Sequence, residues 1–313
     1  MRVFVAGATG AIGKHLVPRL VSAGHEVHGM TRSESKQAML SELGAAPVVA
    51  DALDPDQVAH AVGKAQPDVI VHQLTALAGK GVRGLKSRVA MTNRLRTEGT
   101  DYLLSAGQAV GVQRFVGQSV ALYARTGGLL KSEEDPLDSA GPGAVALHHL
   151  EEAVLGAEWT EGVVLRYGGF YGPGTGLGPG GDMYEMIRRR RFPLVGDGGG
   201  VWSFIHIADA AEATLAAVEH GGRGVYNVVD DDPARVADWL PVLARALSGK
   251  KPRRAPRFLV RLAAGEFGVA MMTDARGAAN EKVKRELGWS PAHPSWREGF
   301  AIAPPRSRQG SAA

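Results

Sequence analysis

Short apolar runs and longer amphipathic stretches alternate from the N-terminus as far as Arg166. The runs Val3–Ala6, Glu26–Met30, Pro47–Ala50, Val69–His72, Arg114–Gly117 and Val163–Arg166 are of strand length and mostly apolar. Between them, apolar positions recur at helical spacing over Ile12–Ala23, Ser35–Leu43, Asp56–Lys64, Val89–Val110 and Val145–Leu155. Regular alternation of this kind predicts βα units, and hence an α/β fold with a parallel sheet and helices on both faces. The near-continuous apolar character of the strands points the same way, because both sides of such a sheet are covered.

After Arg166 the pattern changes. Gly168–Gly181 is dense in Gly and Pro and is expected to be loop or lid. A strand–helix unit at Ser203–Glu219 and a strand at Val225–Val229 follow, then helices at Ala234–Leu247, Arg257–Phe267 and Glu281–Leu287. This divides the chain into a first domain of residues 1–167, completed by 201–230, and a smaller lobe of residues 168–200 and 231–301. Residues 302–313 have the composition of a flexible tail.

Composition narrows the function classes. The 313 residues are 44% hydrophobic and 22% charged, as in soluble globular proteins. With no Cys there is no disulfide framework, thiolate metal site or Cys nucleophile. Met1–Gly13 reaches Gly7 too soon for a secretory leader, and no run approaches the roughly 18 apolar residues of a membrane span. A cytoplasmic protein with no membrane partner is the expectation. Basic clusters at Arg188–Arg191 and Lys250–Arg261 lack aromatic interleaving and match no DNA-binding motif, so they read as solvated helix faces, with no nucleic-acid partner.

The N-terminal unit carries the most specific chemistry. Gly7, Thr9, Gly10, Ala11, Ile12 and Gly13 lie between the first strand and the first helix. Glycines there allow a tight turn and bring backbone N–H groups, at the positive end of a helix, against a pyrophosphate. This predicts dinucleotide binding. An NAD site places a carboxylate about 20 residues further on to accept the ribose hydroxyls. Here the second strand ends Met30-Thr31-Arg32-Ser33, and Arg32 offers a donor fork suited to a 2′-phosphate. NADP(H) is therefore expected in preference to NAD(H), with Arg32 as an ordinary surface arginine the alternative.

Later segments, in order, resemble an extended, atypical short-chain dehydrogenase/reductase of the NAD-dependent epimerase/dehydratase type. Asp51-Ala52-Leu53 is similar to that family's adenine-side turn, and His72-Gln73-Leu74-Thr75-Ala76 to its fourth-strand segment. Asn93 with Gly99-Thr100 resembles its long-helix pattern, and Gln118-Ser119-Val120-Ala121-Leu122-Tyr123 its serine motif. Leu165-Arg166-Tyr167 and Tyr171-Gly172-Pro173-Gly174 match the segment flanking the nicotinamide. Phe204–Asp209 and Glu286-Leu287-Gly288-Trp289 look like its late landmarks.

The resemblance implies a Rossmann-type doubly wound parallel sheet with a smaller C-terminal substrate-binding lobe. It implies cofactor contacts from the glycine turn and from Asp51, Ala52, Leu74, Thr75, Ala76, Asn93, Gln118, Tyr167, Gly168, Gly169 and Phe170. It also implies a homodimer through the helices about Val89–Val110 and Val145–Leu155.

Two departures redirect the functional reading. The family's acid–base pair is Tyr-x-x-x-Lys, and that spacing occurs nowhere in the chain. Matching Glu152 to the family's downstream Glu puts Ala144 at the Tyr position and His148 at the Lys position. Nucleotide-sugar members also carry an Arg and an Asn for the diphosphate, where Trp202–Ser203 and Gly168–Gly169 stand here. Apolar residues surround those positions: Leu77, Leu85, Phe170, Tyr171, Leu177, Met183, Tyr184, Met186 and Trp202. Arg83, Lys86 and Arg88 are candidates to bind an anionic group.

The expectation is an NADPH-dependent ketoreductase acting on an apolar or aromatic, polyketide-like small molecule, as in secondary metabolism. Ser119 would polarise the carbonyl, and Tyr123 or His148 could take part. His148 is also a candidate to contact the ribose, or to be a surface histidine beside His149. Glu151 and Glu152 read as exposed, and no metal is expected because no His-x-x-x-His pair with a nearby carboxylate occurs. A nucleotide-sugar epimerase or dehydratase, and a non-catalytic NADP(H) sensor, are the rival readings.

Overall fold

The computed structural model describes residues 1–77, 84–141, 143–248 and 250–301. Seven parallel strands form the central sheet: β1 (Arg2–Ala6), β2 (Glu26–Thr31), β3 (Ala46–Val49), β4 (Val69–His72), β5 (Arg114–Val120), β6 (Glu161–Tyr167) and β7 (Gly224–Val228). Their order is β3-β2-β1-β4-β5-β6-β7. The order reverses between β1 and β4, the place where open α/β sheets leave a crevice for ligands. This is the doubly wound Rossmann arrangement.

Alternation along each strand sorts side chains to two cores. Val3, Val5, Val69, Val71, Val163 and Leu165 pack on one face, against α1 (Gly13–Ser22) and later helices. Phe4, Ile70, Phe115 and Val164 pack on the other, against α3 (Pro55–Ala65) and α5 (Glu98–Val110). The short α2 (Gln37–Glu42) and α4 (Leu85–Arg96) complete the connections of this half. The predicted helix Val89–Val110 is interrupted at Thr97, whose φ of −95° and ψ of −83° separate α4 from α5.

α6 (Ala144–Gly156) lies across β5 and β6. Beyond β6, part of the expected loop is strand: Gly169–Tyr171 pairs in parallel with Phe204–His206. Helices α7 (Asp182–Arg188), α8 (Ile207–Glu219), α9 (Val236–Ser248), α10 (Arg257–Thr273), α11 (Glu281–Leu287) and α12 (Trp296–Ala301) follow. A separate aromatic core lies beyond β6, in which Tyr171, Phe204, Trp239, Trp296 and Phe300 are buried. Arg83 and the 302–313 tail lie outside the described residues. Among the described residues, no helix is long and apolar enough to cross a membrane.

Candidate active site

The turn after β1 is shaped by what its glycines exclude. Gly7 has φ +97°, and a Cβ there would lie 2.6 Å from the Gln73 carbonyl oxygen. A Cβ on Gly13 would lie 2.4 Å from the Ala8 carbonyl oxygen. Ile12 caps α1 without a side-chain hydrogen bond, and Gly10 and Ala11 are exposed. The backbone N–H groups of Ala11, Ile12 and Gly13 have no partner among the described residues, so the turn presents free donors at a helix N-terminus. These residues fit a dinucleotide diphosphate.

The residues expected around it fall at the carboxyl ends of the strands. Arg32 directly follows β2, exposed and without an ion pair among the described residues. Asp51 closes its own turn by accepting the Leu53 N–H at 3.0 Å, beside buried Ala52. Leu74, Thr75 and Ala76 extend past β4, with Ala76 held by the Thr92 hydroxyl. Gln118 is buried in β5; Gly168, Gly169 and Phe170 leave the end of β6, with Phe170 packed 5.4 Å from the Tyr167 ring.

The expected hydroxyl donors are differently placed from the sequence reading. β5 runs through Val120, so Ser119 lies inside the strand, fully buried. Its hydroxyl donates to Glu151 Oε1 at 2.5 Å, so its proton is turned toward α6. Glu151 is itself buried and takes Arg166 Nε at 3.0 Å and Nη2 at 2.7 Å. That corrects the expectation of an exposed Glu151; Glu152 is exposed. Tyr123 is equally buried, donating to Asn227 Oδ1 at 2.5 Å and accepting from Arg166 at 3.2 Å. Tyr167 donates to Thr214 at 2.7 Å, since Thr214 gives its own proton to Ala210, and accepts from Gln73 at 3.2 Å. Burial pushes both tyrosines up to about 12. At neutral pH they are poor acids.

If the family's downstream Glu is matched to buried Glu151 instead of Glu152, the positions four and eight residues before it are Leu147 and Gly143 instead of His148 and Ala144. Leu147 packs with Tyr123 and Val229. The two histidines are distinguished: His149 meets Asp101 at 2.8 Å, whereas half-buried His148 has no partner among the described residues. The expected apolar lining is partly built into this aromatic core: Tyr171 and Leu177 are buried, and the Trp202 indole donates to the Met271 carbonyl at 2.7 Å. Of the basic clusters, Arg188 and Arg189 pair with Glu185, and Arg261 with Glu266.

Spacing along the chain gave no hint of one grouping. His206, Asp209 and His293 bring ligand-type atoms within 4.8 Å of one another, where no metal-type cluster was expected. These groups also serve the fold. His206 Nδ1 accepts the Ala208 N–H at the start of α8, and buried Asp209 accepts the His293 N–H at 2.8 Å.

Buried titratable groups set a pH dependence. Burial lowers His72 to about 4; its Nδ1 accepts the Leu74 N–H and its Nε2 faces the Leu95 carbonyl, which suits the neutral ring. His206 is also lowered to about 4, by burial and by the stacked His293. Burial raises Asp230 to about 8, so it holds a proton in the fold at pH 7. The unfolded chain binds more protons at the histidines as pH falls below 6.5, while the folded chain alone binds one at Asp230 between about 4 and 8. Stability should rise from pH 4 to about 6.5, then fall toward pH 8 by up to about 1.4 kcal/mol per pH unit. Melting curves of the wild type and Asp230→Asn check this. The variant should lose the falling limb; an identical slope in both would refute the assignment.

The family profile of the NAD dependent epimerase/dehydratase family matches residues 3–228, from β1 to the last residue of β7. The chain belongs to that family. Among relatives of this chain, a 3-diazoavenalumate denitrifying reductase from a Streptomyces species is 44% identical, over 96% of this chain and 99% of that one. A 4-hydroxy-2-methyl-3-oxo-4-farnesyl-3,4-dihydroquinoline-1-oxide ketoreductase from Stigmatella aurantiaca is 28% identical, over 93% and 92%. The UDP-glucose 4-epimerase of Thermus thermophilus, solved with NAD, superposes with a TM-score of 0.75 at 25% identity, covering 97% of each chain. Family and relatives together make this chain an oxidoreductase of a nicotinamide-dinucleotide-dependent family.

Proposed function

We propose that the protein is an NADP(H)-dependent reductase that delivers hydride to an aromatic small molecule without a protein-borne general acid, its acceptor being an aryl diazo group. One observation carries this reading: the hydroxyls of Ser119, Tyr123 and Tyr167 are all buried and spent on partners within the protein. Reducing a ketone leaves an alkoxide that needs a proton. Replacing dinitrogen on an aryl diazonium does not. When bound, the cofactor supplies a hydride whose electron pair becomes the new C–H bond, while the C–N pair leaves on N2. The protein's share is to hold the dinucleotide on the glycine turn and to orient the acceptor. The 44% identical relative, named for a diazo substrate, supports the same acceptor.

A ketone acceptor is the second reading. The ketoreductase relative supports it, as does His148, a half-buried imidazole with no partner among the described residues. A nucleotide sugar is less favoured, because Trp202 and Gly168 offer no charged grip on a diphosphate. Following NADPH absorbance with an aryl diazo acid and an aryl ketone separates the first two. The reading expects one N2 released per NADPH oxidised; oxidation with the ketone alone would replace it with the second.

Arg32 supports NADP(H) over NAD(H). Arg32→Ala should weaken NADPH about tenfold or more and leave NADH nearly unchanged, since a charge-assisted contact is worth about 1.5–3 kcal/mol. Fluorescence titration with both reduced cofactors measures it. Equal weakening of the two would remove Arg32 from cofactor choice.

A further inference from the structure

Arg96, the last residue of α4, is only 6% exposed, and among the described residues its Nε has no hydrogen-bond partner. Among the described residues no carboxylate, carbonyl or hydroxyl takes its guanidinium. Two other inward-facing arginines are treated differently. Arg166 has Glu151 on two nitrogens, and Arg114 has Glu161 and a ring of carbonyls. A guanidinium taken out of water without a counter-charge is costly to the fold. Such a group is retained where a ligand supplies the missing charge.

Its position agrees. A terminal nitrogen of Arg96 lies 3.4 Å from the point where a side chain at Gly143 would begin, alongside Asn93 Oδ1. Gly143 is the N-cap of α6 and gives no side-chain cap, so the positive end of that helix adjoins the guanidinium. The same positive charge contributes to the lowering of His72, at the carboxyl end of β4. Arg96 therefore stands where α4, β4 and the start of α6 meet, at the ligand-binding edge of the sheet. It fills the space that the glycine leaves open.

We infer that Arg96 is an anion-binding residue of this site, pairing with an anionic oxygen of a bound ligand, either the carboxylate or phenolate of the aromatic substrate or a phosphate of the cofactor. The substrate source rests on the reductase reading; the anion site itself does not. Burial lowers the guanidinium to about 10, which still leaves it charged at neutral pH.

Equilibrium binding tests this without turnover, on wild type, Arg96→Met and Arg96→Lys. The probes are NADPH alone, and 4-hydroxycinnamate at saturating NADP+. A fall of tenfold or more in 4-hydroxycinnamate affinity in the Met variant, with NADPH within twofold and partial retention in the Lys variant, assigns the substrate's anion. A tenfold fall for NADPH, with the acid unchanged, assigns the cofactor's phosphate. In either case ligand-free Arg96→Met should melt about 2 °C or more above wild type, because an uncompensated buried charge has been removed. Unchanged affinity for both probes, or a Met variant that melts below wild type, overturns the inference. Because no reduction is measured, a protein that reduces nothing can still pass, and an active reductase can still fail.

Discussion

Glu151→Ala should cost about 3–5 kcal/mol of stability, the usual penalty for stripping one partner from a buried ion pair. The side chains of Glu151 and Arg166 are each 8% exposed, and Arg166 also donates to Tyr123 and to the Glu133 carbonyl. Without the carboxylate, a guanidinium is left in the core beneath β5 and β6, and the Ser119 hydroxyl loses its acceptor. Arg166→Met should be comparably damaging, because it leaves the carboxylate alone. The double variant Glu151→Leu/Arg166→Met removes both charges and should be more stable than either single variant. Urea melts of the four proteins provide the cycle. Single variants within about 0.5 kcal/mol of wild type would contradict a buried, mutually dependent pair.

Gly13→Ala should abolish useful cofactor binding while leaving most of the sheet intact. The new Cβ would stand 2.4 Å from the Ala8 carbonyl oxygen and 2.5 Å from that of Gly7, both backbone atoms that cannot swing aside. The turn must open, and the N–H groups of Ala11, Ile12 and Gly13 then lose their common aim. Misplacement on this scale costs on the order of 100-fold. NADPH titration should show that loss with far-ultraviolet circular dichroism unchanged; binding within threefold of wild type would mean the diphosphate does not rest on this turn.

The sheet was legible because its strands are buried on both faces, which leaves an apolar run few ways to be anything else. The glycine turn was legible because its constraint is local: strand, tight turn and helix are contiguous in sequence. The pairing of Ser119 with a buried Glu151 was not legible for the opposite reason. Polar residues at 118 and 119 looked like a strand end, but burial is tolerated where a partner arrives from elsewhere in the chain. Ser119 finds that partner 32 residues away, and Glu151 finds Arg166 15 residues away. No periodicity records such pairings. The strand Gly169–Tyr171 was hidden by its glycines, since Gly168 is needed where a Cβ would meet the Ser203 carbonyl at 2.7 Å. Arg96 had no signal at all, because a buried arginine and a solvated one look alike in a helix.

Hydride transfer from NADPH to an aromatic acceptor can be followed directly with NADPH deuterated at C4 on the transferred face. The protein is incubated with this cofactor and an aryl diazo acid, and the product is read by mass spectrometry and NMR. One deuterium is expected on the ring carbon that carried the diazo group, with one equivalent of N2. Deuterium on the carbinol carbon of a reduced ketone would shift the acceptor and keep the hydride chemistry. Cofactor left unoxidised with both acceptors would mean that the chain is not a reductase of either.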